Sequence, residues 1–332
     1  VKFGAVPTSQ AEGAILAHSL KTGSGRLRKG LTLEAGHLEA LEQAGIDEVV
    51  VARLERGDLH EDAAARVVAQ AVVPDPASAQ FELTQPFTGR VNIVAVTAGV
   101  VVMDVARLNA LNAVHPMITL ATVAPFQQLG AGQMAATVKI ISYGVAEADV
   151  QRAAAAGAEA MRLAPVQHGS ASLILTTLEG GGLADKGRAA IEARLQTLGM
   201  SLAETLTVPH DTAALAAAIA QAKGDMILIL TASATSDIAD VAPEALRAAG
   251  GQVERFGIPV DPGNLLFLGH LDARPVIGLP NSARSPVLHG VDWVLSRMAC
   301  GLSVSDAEIA AMGVGGLLKE IPNRPMPRDR RR

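Results

Sequence analysis

Beyond Pro165 the chain alternates strand, helix, strand, helix, and this rhythm constrains the fold more than any other feature of the sequence. Residues 171–176, 201–208 and 225–230 have the length and apolar character of strands, and Asp225-Met226-Ile227-Leu228-Ile229-Leu230 is the most strand-like run. Between and after them, residues 186–198, 212–222 and 241–249 carry helical spacing, with Gly199 and Gly250-Gly251 as stops. Apolar strands separated by helices predict a three-layer α/β domain on a mostly parallel sheet. Ligands of such sheets sit beyond the carboxyl ends of the strands, so the segments after Leu175, Leu230 and Leu279 are the places to search.

Upstream the pattern differs. Residues 35–44 predict a helix with Leu38 and Leu41 inward, followed by Gly45 and a strand over 46–52. A second helix is expected over 60–73, with Glu61 and Asp62 in its first turn, where acids complement the helix dipole. Val73-Pro74-Asp75-Pro76-Ala77-Ser78 reads as a linker. Strands follow over 91–96, 100–104, 118–123 and 134–141, with a helix over 105–113 and an alanine-rich helix over 147–164. The expected division is an α+β region over 1–80, a β-rich region over 81–146, the α/β domain over 147–320, and a basic, Pro- and Arg-rich tail over 321–332 that is expected to be disordered.

Composition narrows the function. A chain of 332 residues, 49% hydrophobic and 18% charged, buries a large core. A net charge of −5 argues against a general nucleic-acid binder, which needs a basic face. The apolar runs fall well short of the roughly 18 residues of a membrane span. Cys300 is the only cysteine, so no internal disulfide can form, and residues 1–7 carry no signal pattern; a reducing cytoplasm is the expectation. The 8 histidines lack metal-ligand spacing. Gly180-Gly181-Gly182 offers either a phosphate cradle or a surface loop, and without the lysine-hydroxyl ending of a P-loop the surface loop is favoured. A small molecule or another protein is the expected partner.

Three segments carry the candidate chemistry. The first, residues 231–240, is a run of small and hydroxyl residues between a strand and a helix; Thr231, Ser233, Thr235 and Ser236 can hold an anion at the helix start, or the segment is an ordinary Ser/Thr/Asp cap. The second, Gly257-Ile258-Pro259-Val260-Asp261-Pro262-Gly263-Asn264, is a turn. The third, Gly278-Leu279-Pro280-Asn281-Ser282-Ala283-Arg284-Ser285, sets an arginine and two serines in a loop after an apolar strand, suited to a phosphate or carboxylate.

In order and spacing these segments resemble the molybdopterin-binding fold of molybdopterin adenylyltransferases, molybdopterin molybdotransferases and gephyrin-like proteins. That family has a Ser/Thr-Gly-Gly loop ending in an acid, a Lys-Pro-Gly turn and a Gly-Leu-Pro-Gly-Asn-Pro loop; here the positions read 231–240, Asp261-Pro262-Gly263 and 278–283. Val208-Pro209-His210-Asp211 resembles the family's Val-x-Asp-Asp, so the likeness spans residues 173–283. Residues 27–52 resemble the segment preceding the binding domain in molybdotransferases, which stands against a lone adenylyltransferase. The resemblance implies that Thr231, Ser233, Thr235, Ser236, Pro262, Gly263, Asn264, Pro280, Asn281, Ser282, Arg284 and Ser285 bind molybdopterin or the molybdenum cofactor, free or nucleotide-linked. It implies further that Asp237 and Asp240 are catalytic and hold Mg²⁺.

Departures accompany the likeness. Ala232-Ser233 stand in place of Gly-Gly, and Asp261 and Asn264 occupy two lysine positions, leaving Arg284 as the basic residue of the third loop. Two functions follow from the resemblance. One is a molybdotransferase-like enzyme that inserts molybdate into molybdopterin; the other is a noncatalytic carrier or maturation factor, which the missing lysines favour. Molybdoenzymes or a cofactor nucleotidyltransferase are the implied protein partners, and a homo-oligomer the implied assembly.

Overall fold

The computed structural model describes residues 1–23, 25–178 and 184–318, and the chain folds as two units. Unit 1 comprises Val1–Val96, Val101–Pro125 and Ala131–Leu163. In it β1 (Lys2–Pro7) pairs antiparallel with a later strand, and α1 (Ala35–Gln43) turns Leu38 and Leu41 inward onto Val49 and Val51 of that partner, β2 (Glu48–Arg53). Helix α2 (Glu61–Val72) buries Ala64, Ala65, Val68, Ala69 and Val72, one face at helical spacing.

Strands β3 (Phe81–Leu83) and β4 (Arg90–Ala95) precede α3 (Val105–Val114), and β5 (Ile118–Thr122) and β6 (Met134–Ile140) precede α4 (Glu147–Ala156). The four strands form one antiparallel sheet in the order β5-β6-β4-β3. Helix α2 packs on β4, β6 and α4, so a division at residue 80 or 146 would pass through this packing. Residues 73–78 form hydrogen-bonded turns, with Asp75 accepting from the Ser78 N–H at 3.1 Å and Pro76 O from the Phe81 N–H at 2.8 Å. The helix expected over 147–164 is corrected. It stops at Gly157, where a side chain would lie 2.4 Å from Leu111 Cδ1, and Met161–Pro165 is a strand.

Unit 2 comprises Thr97–Val100, Phe126–Gly130 and Ala164–Arg332. Its elements are β7 (Ser170–Thr177), α5 (Ala184–Thr197), β8 (Ser201–Pro209), α6 (Thr212–Gln221), β9 (Met226–Leu230), α7 (Val241–Ala248), β10 (Gln252–Phe256), β11 (Phe267–Leu271), β12 (Arg274–Leu279), a short 3₁₀ turn (Asn281–Arg284), α8 (Gly290–Ala299) and α9 (Asp306–Ala311). One six-stranded sheet runs β8-β7-β9-β12-β11-β10; the first four strands are parallel, and β11 and β10 are antiparallel. The expected three-layer α/β domain on a mostly parallel sheet is therefore present.

Strand β9 shows why. All five of its residues are buried, and they alternate between two cores. Met226, Leu228 and Leu230 meet Ile191 and Leu195 of α5 and Val291, Val294 and Leu295 of α8, with Trp293 half-buried beside them. Ile227 and Ile229 meet Leu215 and Ile219 of α6 and Ala245 and Leu246 of α7. Each fully buried aliphatic side chain stabilises by roughly 1.5–3 kcal/mol, enough to outweigh the low strand propensity of methionine and leucine beside isoleucine. No helix among the described residues is long and apolar enough to cross a membrane. Residues 180–182 and the tail expected over 321–332 lie outside the described residues.

Candidate functional site

The parallel strands β9 and β12 deliver residues 231–240 and 278–285 to their shared carboxyl edge. After β9, Thr231 is buried and its hydroxyl donates to Ser233 O at 2.6 Å. Thr235, also buried, lies 3.4 Å from Thr231 through its hydroxyl. The Ala232 N–H donates to Thr176 Oγ1 at the end of β7, at 2.8 Å. No residue from 231 to 240 has a positive φ, so Ala232 and Ser233 stand without backbone strain where the resembled family has glycines.

The loop after β12 reaches back to the same peptide. Arg284 Nη2 donates to Thr231 O at 3.0 Å, and the Asn281 amide, oriented by its partners, donates to Thr231 O at 2.7 Å and accepts from the Ala234 N–H at 3.1 Å. Gly187 of α5 makes room for the guanidinium, since a side chain there would lie 2.6 Å from Arg284 Nη1. Burial pulls the Arg284 pKa down from its ordinary value.

The third loop is clamped by a residue that sequence reasoning missed. Arg194 of α5, 8% exposed, pairs with Asp292 Oδ1 at 2.7 Å and donates to the carbonyls of Ala283 (2.9 Å), Ser285 (2.8 Å) and Val287 (3.2 Å). Nothing in its sequence neighbourhood distinguishes it from a solvated helix arginine. His289, fully buried, caps α8: Nδ1 accepts from the Val291 N–H at 3.1 Å, which places the hydrogen of the neutral ring on Nε2, 2.8 Å from Ser282 Oγ.

The turn over 257–264 joins through the same helix start. Pro262 O accepts from the Gly290 N–H at 2.9 Å, and a side chain on Gly263 would lie 2.9 Å from Gly290 Cα. Pro262, Gly263 and Pro280 are buried and shape the backbone, whereas Ser233, Ser236, Asp237, Asn264 and Ser282 are exposed and Asn281, Arg284 and Ser285 half-buried. Arg274 is at the opposite end of β12, donating to Ala222 O.

Asp240 is the N-cap of α7. Its Oδ1 accepts from the Val241 N–H at 2.7 Å and its Oδ2 from the Ser236 N–H at 3.0 Å. The Ser236 N–H, the largest cause, holds the carboxyl below its ordinary pKa against the opposing effect of burial; Val241 and the nearby His210 add to the lowering. Asp237 Oδ1 accepts from the Ala239 N–H at 2.8 Å. Three backbone donors at the start of α7, the N–H groups of Ser236, Ala239 and Val241, are thus taken up by the loop's own carboxylates. Among the described residues, no group of three or more His, Cys, Asp or Glu side chains can hold a metal ion.

Asp240→Ala is expected to cost about 1–2 kcal/mol, the usual value of a lost N-cap. Because the folded carboxyl titrates below its ordinary 3.8, this contribution is complete above that value and is lost as pH falls through the lower folded value. Urea midpoints of the wild type and variant should differ at neutral pH and converge in acid. An equal gap in strong acid would remove Asp240 from the cap.

Residues 170–309 match the family described as a probable molybdopterin binding domain. Unit 2 is similar to that family over these residues. The match begins with β7 and ends in α9, so residues 231–240, 257–264 and 278–285 all lie inside it. Residues 5–53 match a family described as a domain of unknown function. No curated relative matches the chain. One similar solved structure is the molybdopterin biosynthesis MoeA protein from Pyrococcus horikosii, 14% identical, with 90% of this chain and 75% of that chain covered and a TM-score of 0.31.

Proposed function

We propose that the molybdopterin-binding domain takes molybdopterin, free or nucleotide-linked, between residues 231–240 and 278–285, and that the chain serves molybdenum-cofactor biosynthesis in the cytoplasm. The observation that carries this reading is the joining of both loops through one carbonyl, Thr231 O, which accepts from Arg284 and Asn281. The loops thereby present Ser233, Ser282, Ser285 and the arginine on one edge of the sheet, as a phosphate-bearing heterocycle requires.

Anaerobic titration of the full chain with molybdopterin tests this. Arg284→Ala should weaken binding by roughly 1.5–3 kcal/mol, tenfold or more, the value of a charge-assisted contact. Arg284→Lys keeps the charge and should lie between. A folded wild-type chain with no saturable binding sinks the reading.

Within cofactor biosynthesis, molybdate insertion by a Mg²⁺-dependent, molybdotransferase-like transferase is the role that the resemblance suggests. A second reading, a noncatalytic carrier that hands the cofactor to a molybdoenzyme or a nucleotidyltransferase, is favoured by one observation: Asp240 spends both carboxylate oxygens on backbone N–H groups. Turnover of molybdopterin and molybdate by the purified chain would decide for insertion; saturable binding without turnover decides for the carrier.

A further inference from the structure

Arg194 and Arg297 are equally buried, each 8% exposed, and differ in what their guanidinium groups meet. Arg194 spends its fork on Asp292 and on carbonyls. The Arg297 guanidinium, near the end of α8, makes no hydrogen bond and no ion pair among the described residues, and its Nε is sealed from solvent without a partner. What it meets is a ring of the same unit: Cζ lies 3.8 Å from the centroid of Phe126. At that distance the planar group lies flat on the ring, since an N–H aimed at the face would hold Cζ farther off. The five N–H donors lie in the guanidinium plane, so the attraction of the cation for the aromatic face satisfies none of them.

The carboxylate whose charge reaches Arg297, that of Glu308 in α9, is engaged elsewhere. Glu308 Oε2 accepts from the Ser305 N–H at 2.9 Å and from Ser305 Oγ at 2.7 Å, completing the capping box of that helix. Burial pulls the Arg297 pKa below its ordinary value, against the opposing effect of Glu308. A buried guanidinium ordinarily has acceptor oxygens in its plane, and here that plane stands open.

We infer that Arg297 receives a small carboxylate anion, bound edge-on through the fork of a guanidinium that Phe126 holds by its face. Three features select this class of ligand. In-plane donors match a planar acceptor with two oxygens. The slight exposure of the residue leaves a narrow approach, which suits a flat group better than a tetrahedral one. With the charge of Glu308 nearby, a dianion is repelled about twice as strongly as a monoanion. Arg297 contacts the anion; Phe126 is a positioning residue. Arg297 lies about two turns along α8 from His289, so the site is separate from residues 231–240 and 278–285 and does not depend on pterin binding.

The experiment titrates sodium acetate into the ¹⁵N-labelled full chain, with phosphate dianion and chloride as parallel arms. It follows the Arg297 Nε–H signal and the amide of Leu302, which donates to Arg297 O at 3.1 Å. Acetate should shift both signals saturably, phosphate should bind more weakly, and chloride should give no saturation. Arg297→Lys keeps the charge without the fork and should weaken the acetate affinity read at Leu302 about tenfold. Glu308→Gln, which can keep the capping box, should tighten acetate binding about two- to fivefold, the effect of one screened charge. An acetate response that does not saturate, phosphate binding as tight as acetate, the same response to chloride, an unchanged affinity in Arg297→Lys, or weaker binding in Glu308→Gln each overturns the inference. The Nε–H signal of the wild type is itself a readout, so the test stands even where a variant fails to fold.

Discussion

Arg194→Ala should destabilise the molybdopterin-binding domain by about 3–5 kcal/mol, the usual cost of removing one partner of a buried ion pair. The guanidinium is 8% exposed, and its loss leaves Asp292 with the His289 N–H but no countercharge and strands the carbonyls of Ala283, Ser285 and Val287. Each carbonyl left without a donor adds a desolvation penalty that the cavity can relieve only by admitting water. A domain of this size loses roughly 2–4 °C per kcal/mol, so a calorimetric transition on the order of 10 °C lower is expected. Arg194→Lys keeps the charge but has no fork to reach Asp292 and the carbonyls at once, and should recover less than half. A shift of under about 1 kcal/mol for Arg194→Ala would mean that the clamp is dispensable. Molybdopterin affinity should fall with stability, because the same contacts hold the loop that carries Arg284.

Gly278→Ala is the second severe change expected, and its cause is steric alone. Gly278 lies opposite Phe267 in the β11–β12 pairing, and a Cβ there would come within 1.8 Å of Phe267 Cε1 and 2.0 Å of Cδ1. Phe267 is 1% exposed and packed among α6, α7 and the sheet, so the ring cannot swing aside. Overpacking of this kind typically costs 1–3 kcal/mol, and an overlap this deep should cost roughly 3 kcal/mol or more. The backbone of Gly278 is not at positive φ, so nothing but the ring forbids alanine. That makes a double-mutant cycle decisive: Phe267→Leu should lower the penalty of Gly278→Ala, with a coupling of at least about 1 kcal/mol. Additive effects would locate the cost elsewhere.

The parallel half of the sheet was legible because its strands are buried on both faces and announce themselves as apolar runs. β10 and β11 were not foreseen. β10 mixes charged and apolar residues, the apolar run of β11 is interrupted by Gly269 and His270, and the Pro- and Gly-rich turn between them draws attention as a loop rather than as the link of an antiparallel pair. Over residues 147–164 the alanine content favours one continuous helix, whereas the helix ends at Gly157 and a strand follows from Met161. At the candidate site, residues 231–240 and 278–285 were legible as strand ends and 257–264 as a turn. Arg194 and Thr176 were not singled out, because their contacts lie 34 to 98 positions away in sequence, and His210 entered only as part of the 208–211 likeness. Asp240 was expected to choose between cap and cation; the close approach of the Ser236 N–H, a fold-back of four residues, supplied the second bond of a cap.

Aromatic residues make up 2% of the sequence, with one Trp and one Tyr. Trp293 follows the clamped Asp292 and lies half-buried against the core of unit 2, while Tyr143 of unit 1 donates its hydroxyl to Ala17 O at 3.0 Å and has its pKa raised by burial. The chain therefore carries one natural fluorophore in each unit, spectrally distinct. Selective excitation of the indole at the red edge follows the molybdopterin-binding domain alone, and the phenol's ultraviolet difference band on alkaline titration follows unit 1, so the order in which the units unfold can be read from unlabelled protein.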